Sequence, residues 1–251
     1  MTAITPQNGA ALKVVNEREV RTDLASRREV KFAIEGADVH KLRGLLRQRC
    51  RRLSHNLSVS KVNSVYFDDA SLSACRANLN GLSLRRKFRL RWYDQPLPGK
   101  TSFMEIKWRD NRVTGKHRFE LQAETPVGDW TYQRLVSAVQ GVAPSSVLAD
   151  VYRYDEPIVL VQYAREHFTN DQDLRLTLDY DLQFYDQSCR RRISRSFAFK
   201  KSNFVVLEAK VPVGREAEIR DWIYPLNARA TRCSKYVYGC HAVGLIRSSE
   251  L

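Results

Sequence analysis

The chain has 251 residues, 43% of them hydrophobic, with 42 lysines and arginines against 28 aspartates and glutamates and a net charge of +14. That is enough apolar material for one large core or two small ones, and the charge selects polyanionic partners: nucleic acid, nucleotide, polyphosphate or anionic lipid. No run approaches the roughly 18 apolar residues of a membrane span, no charged start leads into an apolar leader, and five cysteines without CxxC or Cys/His spacing exclude a zinc motif and point to a cytoplasmic setting.

Residues 1–25 lack a sustained apolar rhythm and read as a flexible N-terminal tail ahead of a single domain over 26–251. Residues 27–35, "RREVKFAIE", alternate as a strand does, and "GADVHKLRGLLRQRC" then spaces Val39, Leu42, Leu45 and Leu46 at helical intervals. Strands are predicted at 57–68, 81–94, 102–109 and 113–122, with a short helix closed by Asn80 and Gly81 between the first two of these. An amphipathic helix opening with proline is predicted over 126–141, followed by a connector at 143–156. Beyond Pro157 the strands resume with "IVLVQYAREHF", "DLRLTLDYDLQFYD" and, after the basic stretch "CRRRISRS", "NFVVLEAKVPV". A helix over 215–227 and the closing "ATRCSKYVYGCHAVG" end the chain. About eight strands with few crossover helices predict an α+β fold built on an antiparallel barrel or strongly curled sheet.

The charges alternate on these strands. In "LRRKFRLRWYD", Phe88, Leu90 and Trp92 oppose Lys87, Arg89 and Arg91; in "SFMEIKWR", Met104, Ile106 and Trp108 oppose Glu105, Lys107 and Arg109. Arg27, Glu29 and Lys31 share one face of the first strand, Arg175, Thr177 and Asp179 one face of another, and Glu208 and Lys210 one face of a third. A single strand of this kind is ordinarily a half-solvated one. Five with one scheme, rich in Arg and Lys and poor in neutral polar residues, predict apolar rows seated under helices and basic rows lining an interior. Such a lumen is tolerable only around a multiply charged anion, and Arg forks with mobile Lys charges suit phosphate. The five histidines show no ligand spacing, and Tyr66, Tyr93, Tyr163 and Trp92 read as packing aromatics. The run 190–195 reads as a solvated loop near a lumen mouth.

In order, "REVKF", "NSVYFDD", "RRKFRLRWYD", "MEIKWR", "QYAREHF", "LRLTLDYDL", "VVLEAKV" and "TRCSKY" resemble the catalytic domain of the vacuolar transporter chaperone (VTC) family of polyphosphate polymerases. These belong to the triphosphate tunnel metalloenzymes, relatives of the CYTH proteins. The resemblance implies an eight-stranded antiparallel β-barrel tunnel with helices packed on the outside, holding ATP and inorganic polyphosphate with a divalent metal, Mn2+ or Mg2+. It implies that Lys31, Arg89, Arg91, Lys107, Arg165, Arg175 and Lys235 act on substrate phosphates, with Lys87, Arg232 and Lys210 as further phosphate contacts. Glu208 resembles the metal carboxylate, with Glu29 and Glu105 as additional candidates.

One departure carries weight: CYTH hydrolases open with ExExK, whereas Arg27 gives RxExK here, removing a carboxylate from a hydrolase-type metal site and favouring the polymerase branch. The SPX phosphate-sensing domain and membrane helices of eukaryotic members have no counterpart in these residues. A tunnel-type triphosphatase is the alternative, followed by a non-catalytic polyphosphate or nucleic-acid binding module. Against specific nucleic-acid recognition, the cations alternate along strands rather than cluster on a helix.

Overall fold

The computed structural model describes residues 12–23, 27–54, 57–111, 113–170, 174–224 and 228–247. It is built on one eleven-stranded sheet with antiparallel ladders throughout. The long strands are β1 (Leu12–Asp23), β2 (Arg27–Glu35), β4 (Ser60–Asp68), β5 (Arg85–Tyr93), β6 (Thr101–Asp110), β7 (Val113–Ala123), β8 (Glu156–Thr169), β9 (Arg175–Asp186) and β11 (Phe204–Pro212). They run in the order β1-β7-β6-β5-β4-β8-β9-β11-β2, while short β3 (Arg51–Leu53) pairs with β8 and β10 (Phe199–Lys201) with β9. The expected eight strands are thus corrected to eleven, and no ladder joins β1 to β2 among the described residues.

The sheet nevertheless curls. Lys107 on β6 feels the charges of Glu29 and Lys31 on β2 and Glu208 on β11, strands far from β6 along the hydrogen-bonded path. The free edge of β2 is covered by residues 230–231: Phe32 bridges Ala230, and Thr231 N donates to the Lys31 carbonyl at 2.8 Å. This cover replaces the strand-to-strand closure that a barrel would have at this edge.

On the convex side the apolar rows sit where alternation puts them. Phe88, Leu90, Trp92, Met104 and Ile106 form one core cluster with α3 (Tyr132–Val142) and α4 (Ser145–Arg153), through Leu135, Val139, Val147 and Val151. Leu174, Leu176, Leu178, Leu207 and Ala209 form another with α1 (Val39–Arg47) and α5 (Glu216–Ile223). Burying such side chains stabilises by about 1.5–3 kcal/mol each, so these rows dictate which face turns inward.

Four expectations change. Residues 12–23, read as tail, form edge strand β1 on β7; residues 1–11 and 24–25 lie outside the described residues. The connector 143–156 is helix α4, because Pro144 needs no donor at a helix start and Val147 and Val151 share one buried face. Pro126 leads only a single turn, Val127–Asp129, and α3 begins at Thr131, whose hydroxyl accepts from Arg134 N. Finally, α6 (Lys235–Ala242) is not outside with the other helices: it packs with Tyr66, Val159, Leu182, Phe184 and Val206, filling one end of the concave face. Short α2 (Ser73–Leu79) lies beside it, and buried Asp68 ties both, accepting from Ala74 N, Cys75 N and the Tyr236 hydroxyl, the last at 2.6 Å.

A bulge makes this change of character along β9. Two β9 residues, 181 and 182, stand against one on β8, and Asp181 takes a left-handed φ of 54°. The inward side therefore switches from Arg175, Thr177 and Asp179 to Leu182 and Phe184, a charged stretch followed by an apolar seat for α6.

Gly115 lies opposite Trp108, and a Cβ there would sit 2.1 Å from the indole. Gly115→Ala should cost about 1–3 kcal/mol by overpacking, whereas Gly141→Ala in α3, with nothing within 4 Å of the added carbon, should be neutral or stabilising by up to about 1 kcal/mol. Urea unfolding of the two variants measures the contrast.

Candidate active site

The charged half of the concave face is ordered in layers by strand register. Arg85 stands opposite Arg109 at one end of the sheet, and Arg175 and Glu29 flank Lys210 at the other, because three antiparallel ladders separate β5 from β9. One step inward, Lys87, Lys107 and Lys116 lie side by side on β5, β6 and β7, while Lys31, Glu208 and Thr177 lie side by side on β2, β11 and β9. The next step holds Arg89, Glu105 and Arg118 on one wall and Arg165 beside Asp179 on the other. Beyond Arg89 on β5, Arg91 stands beside Ser64 on β4.

Two fully buried carboxylates organise the inner layers. Glu105 receives Arg89 at 2.5 and 2.9 Å and Lys116 at 2.5 Å, with Arg91 and Arg118 each at 3.6 Å. Burial opposes its charge, but these cations hold its carboxyl well below the usual carboxylate range. Asp179 takes Arg165 through both oxygens at 2.6 and 2.7 Å and Lys235, at the start of α6, at 2.6 Å. Burial is again outweighed, by Arg165 and Lys235, and Asp179 is lowered.

Tyrosines supply the remaining contacts. Arg89 donates to the Tyr66 hydroxyl at 2.9 Å, and Arg91 donates to Ser64 Oγ at 3.0 Å and the Tyr163 hydroxyl at 3.3 Å. The Tyr163 ring lies 5.2 Å from the Arg165 guanidinium and 5.0 Å from Lys235 Nζ, cation–π distances. Tyr66 stacks on Tyr236 of α6 at 4.9 Å, coupling the helix to the Arg89 layer.

Nearer the rim, Glu29, Lys31, Glu208 and Lys210 form a square on β2 and β11. Lys31 is 2.8 Å from Glu29 and 3.8 Å from Glu208; Lys210 is 3.0 Å from Glu208 and 3.9 Å from Glu29. Burial and repulsion from Glu208 push Glu29 up, but the lysines win and lower it; Glu208 falls further, against burial, through Lys31, Lys210 and Lys107. Two mutually repelling carboxylates on adjacent strands are a donor set that a hard divalent cation relieves, since Mg2+ commonly takes one or two carboxylates and completes its shell with phosphate oxygens and water. Among the described residues no cluster of three or more His, Cys, Asp or Glu could hold a metal by itself.

Lys87 and Lys107 differ from every other inner cation: no carboxylate pairs with either among the described residues. Burial together with Lys31, Arg85 and Arg89 pushes Lys87 down to about 7, and burial together with Arg89 holds Lys107 well below the ordinary lysine value. Lys31, by contrast, is raised despite burial, through Glu208 and Glu29.

Of the residues singled out from sequence, Lys31, Lys87, Arg89, Arg91, Lys107, Arg165, Lys210, Lys235, Glu29, Glu105 and Glu208 converge on this face. Arg175 and Arg232 do not join the ion-pair network. Arg175 is exposed at the rim beside Lys210; exposed Arg232 packs on Gly81 and repels Arg85 at the covered edge of β2. Glu105, a metal candidate by resemblance, has four cations around it. Lys116 and Arg118 escaped notice, although "GKHRF" alternates in the same way. A separate cleft of about 440 Å3 lies between α1 and the Asn203 turn, but its Arg43 guanidinium is committed to buried Glu166, at 2.6 Å.

The VTC domain profile matches residues 26–243. Vacuolar transporter chaperone complex subunit 4 of Trypanosoma brucei brucei is 24% identical over 224 residues, and its namesake in Trypanosoma cruzi 24% over 227, each covering 72% of this chain. The matched part is only 28% of the length of either relative. Among solved structures, the PH1819 protein of Pyrococcus horikoshii aligns with a TM-score of 0.44 at 10% identity, covering 84% of this chain and 95% of that one. HpAC1 from Hippeastrum, described as having a dominant triphosphatase activity, aligns with a TM-score of 0.49 at 14% identity, covering 85% and 94%. Similarity at that level leaves the architecture to rest on the strand register itself.

Asp179→Asn should cost about 3–5 kcal/mol in urea unfolding, because it leaves Arg165 and Lys235 buried without their carboxylate. Glu105 and Asp179 titrate lower folded than unfolded, so the stability they contribute is present above about pH 4 and is lost as pH falls through their folded values. The acid limb of the stability curve should accordingly flatten in Asp179→Asn.

Proposed function

The chain belongs to the VTC domain family, and from that premise we propose that it is a polyphosphate polymerase, transferring the γ-phosphate of ATP to a growing polyphosphate chain inside the concave cationic face. The observation that carries this reading is the unpaired Lys87 and Lys107 in an interior already crowded with cations. Each lysine lacks a counter-charge that a phosphate chain supplies.

Phosphoryl transfer asks chiefly for positioning and neutralisation of charge on the peripheral phosphate oxygens. Arg89 and Arg91, oriented by Glu105, Tyr66, Ser64 and Tyr163, present fixed forks to those oxygens; Arg165 and Lys235, oriented by Asp179, face them from the opposite wall. Glu208 with Glu29 would hold Mn2+ or Mg2+, which when bound adds further neutralisation of phosphate charge. Lys31, Lys87 and Lys107 follow the charge as it moves to the leaving oxygen. A chain-end phosphate oxygen attacks the γ-phosphorus, the bond to the β,γ-bridging oxygen breaks, and ADP leaves. Arg175 and Lys210 at one end, and Arg85, Arg109 and Arg232 at the other, extend the cationic surface for a product longer than the triphosphate.

Triphosphate hydrolysis is the second reading, since the same neutralisation serves a water nucleophile. Purified protein with ATP and Mn2+ should yield long-chain polyphosphate on a gel, and Arg89→Ala or Lys235→Ala should slow its formation on the order of 100-fold. Free orthophosphate alone would favour hydrolysis; no phosphate chemistry at all, with both variants indistinguishable from wild type, sinks the enzyme reading.

Proton linkage gives an independent measurement. Phosphate bound beside Lys87 and Lys107 raises their depressed values toward the ordinary lysine range, so tripolyphosphate binding at about pH 8 should take up protons. Calorimetry in buffers of different ionisation enthalpy reads this uptake, which Lys87→Met should reduce.

A further inference from the structure

We propose that the loop joining β9 to β10 is a docking surface for an anionic lipid membrane. Its arginines Arg190, Arg191, Arg192 and Arg195 are exposed, and none pairs with a carboxylate among the described residues. Arg195 donates only to the neutral Gln162 amide oxygen, at 3.0 Å. Directly after them, Phe197 is 82% exposed and Phe199 47%. Phe197 also holds a left-handed φ of 57°, a conformation rare for a bulky side chain.

The loop is braced from beneath. Buried Gln187 donates to the Ser194 carbonyl at 2.8 Å and accepts from Ser194 N at 2.9 Å, and Ile193 is buried in the cluster under α3. Arg192 bridges Thr131, and Tyr132 N donates to the Arg191 carbonyl at 2.9 Å. The backbone is therefore fixed while two phenylalanines stand in water beside unpaired guanidiniums, so binding orders little further chain.

That pairing of groups matches the boundary of a bilayer. Guanidiniums take lipid phosphates through forked hydrogen bonds, and phenyl rings enter the acyl region below them. A single-stranded nucleic acid would use a series of stacking faces along a basic groove, which two phenylalanines on one braced loop do not provide. The position also fits: the loop follows the end of β9 next to α6, whereas Arg175 begins the same 12-residue strand at the rim. Those ends are separated by roughly 37 Å of extended chain, so docking leaves the end of the cationic face at Arg175 and Lys210 in water.

Co-sedimentation of the whole chain with phosphatidylcholine vesicles, with and without about 30% phosphatidylserine, tests this. Binding should be at least about tenfold stronger to the anionic vesicles, since each basic residue at such a surface contributes severalfold. The Phe197→Ser/Phe199→Ser double variant, with charge unchanged and side chains already exposed, should lose about tenfold, and Arg190→Glu/Arg192→Glu at least as much. Lys41→Glu/Arg47→Glu on α1 changes net charge equally and should lose little. Equal binding to both vesicles, no binding, wild-type binding by the phenylalanine variant, or equal losses in the two charge variants each overturns the proposal. So does tight binding of a single-stranded oligonucleotide that the phenylalanine substitutions abolish, with vesicle binding unaffected.

Discussion

The structure depends on one electrostatic constraint: a concave face crowded with Arg and Lys must hold together before any anion arrives. Removed from water, each cation is costly unless something opposes it, and Glu105 and Asp179 do so in the deepest layers. Each accepts from side chains on more than one element. Their carboxylates thereby fix the direction of guanidiniums that would otherwise repel one another apart. The unopposed lysines lie one alternate step along β5 and β6 from the fully buried Glu105.

The same constraint explains the placement of the helices. Four of them cover the convex apolar rows, as alternation requires, but α6 enters the concave side, where the inward residues have turned from charged to apolar. The β9 bulge at Asp181 makes the change in one wall. By seating α6 there, the fold delivers Lys235 to Asp179 and places Tyr236 on Tyr66, so the helix that ends the charged region also completes it. Residues 230–231 play a comparable part along β2, covering an edge that would otherwise offer unpaired backbone groups.

The proposed reading rests on a site whose charge is repeated rather than concentrated at one point. Its cations recur at every second residue along several strands, matched across the ladder by register, so a flexible polyanion meets fresh charge at each step. Its fully buried acids orient guanidiniums, whereas Glu208 and Glu29 pair with Lys31 and Lys210.

Much of this was written in local pattern. Strict alternation in "RRKFRLRWY" and "MEIKW" fixed which side chains share a face, because a strand has a period of two whatever surrounds it. The seating of apolar rows under helices then followed from burial. The same rule held "GKHRF", so Lys116 and Arg118, which share a face with Glu120, were legible there. Register, and with it partnership, was not legible: that Glu105 faces four cations, or that Asp179 joins Arg165 to Lys235, depends on elements distant in the chain. Nor could alternation foresee the bulge at Asp181, which inverts it, or β1, whose weak apolar rhythm is compensated by pairing with β7. The sequence by itself determined the charge, the faces and the residue types suited to phosphate, since these are properties of single strands. Only the tertiary structure decided which charges oppose one another, because that is set by curvature and register, which act between strands.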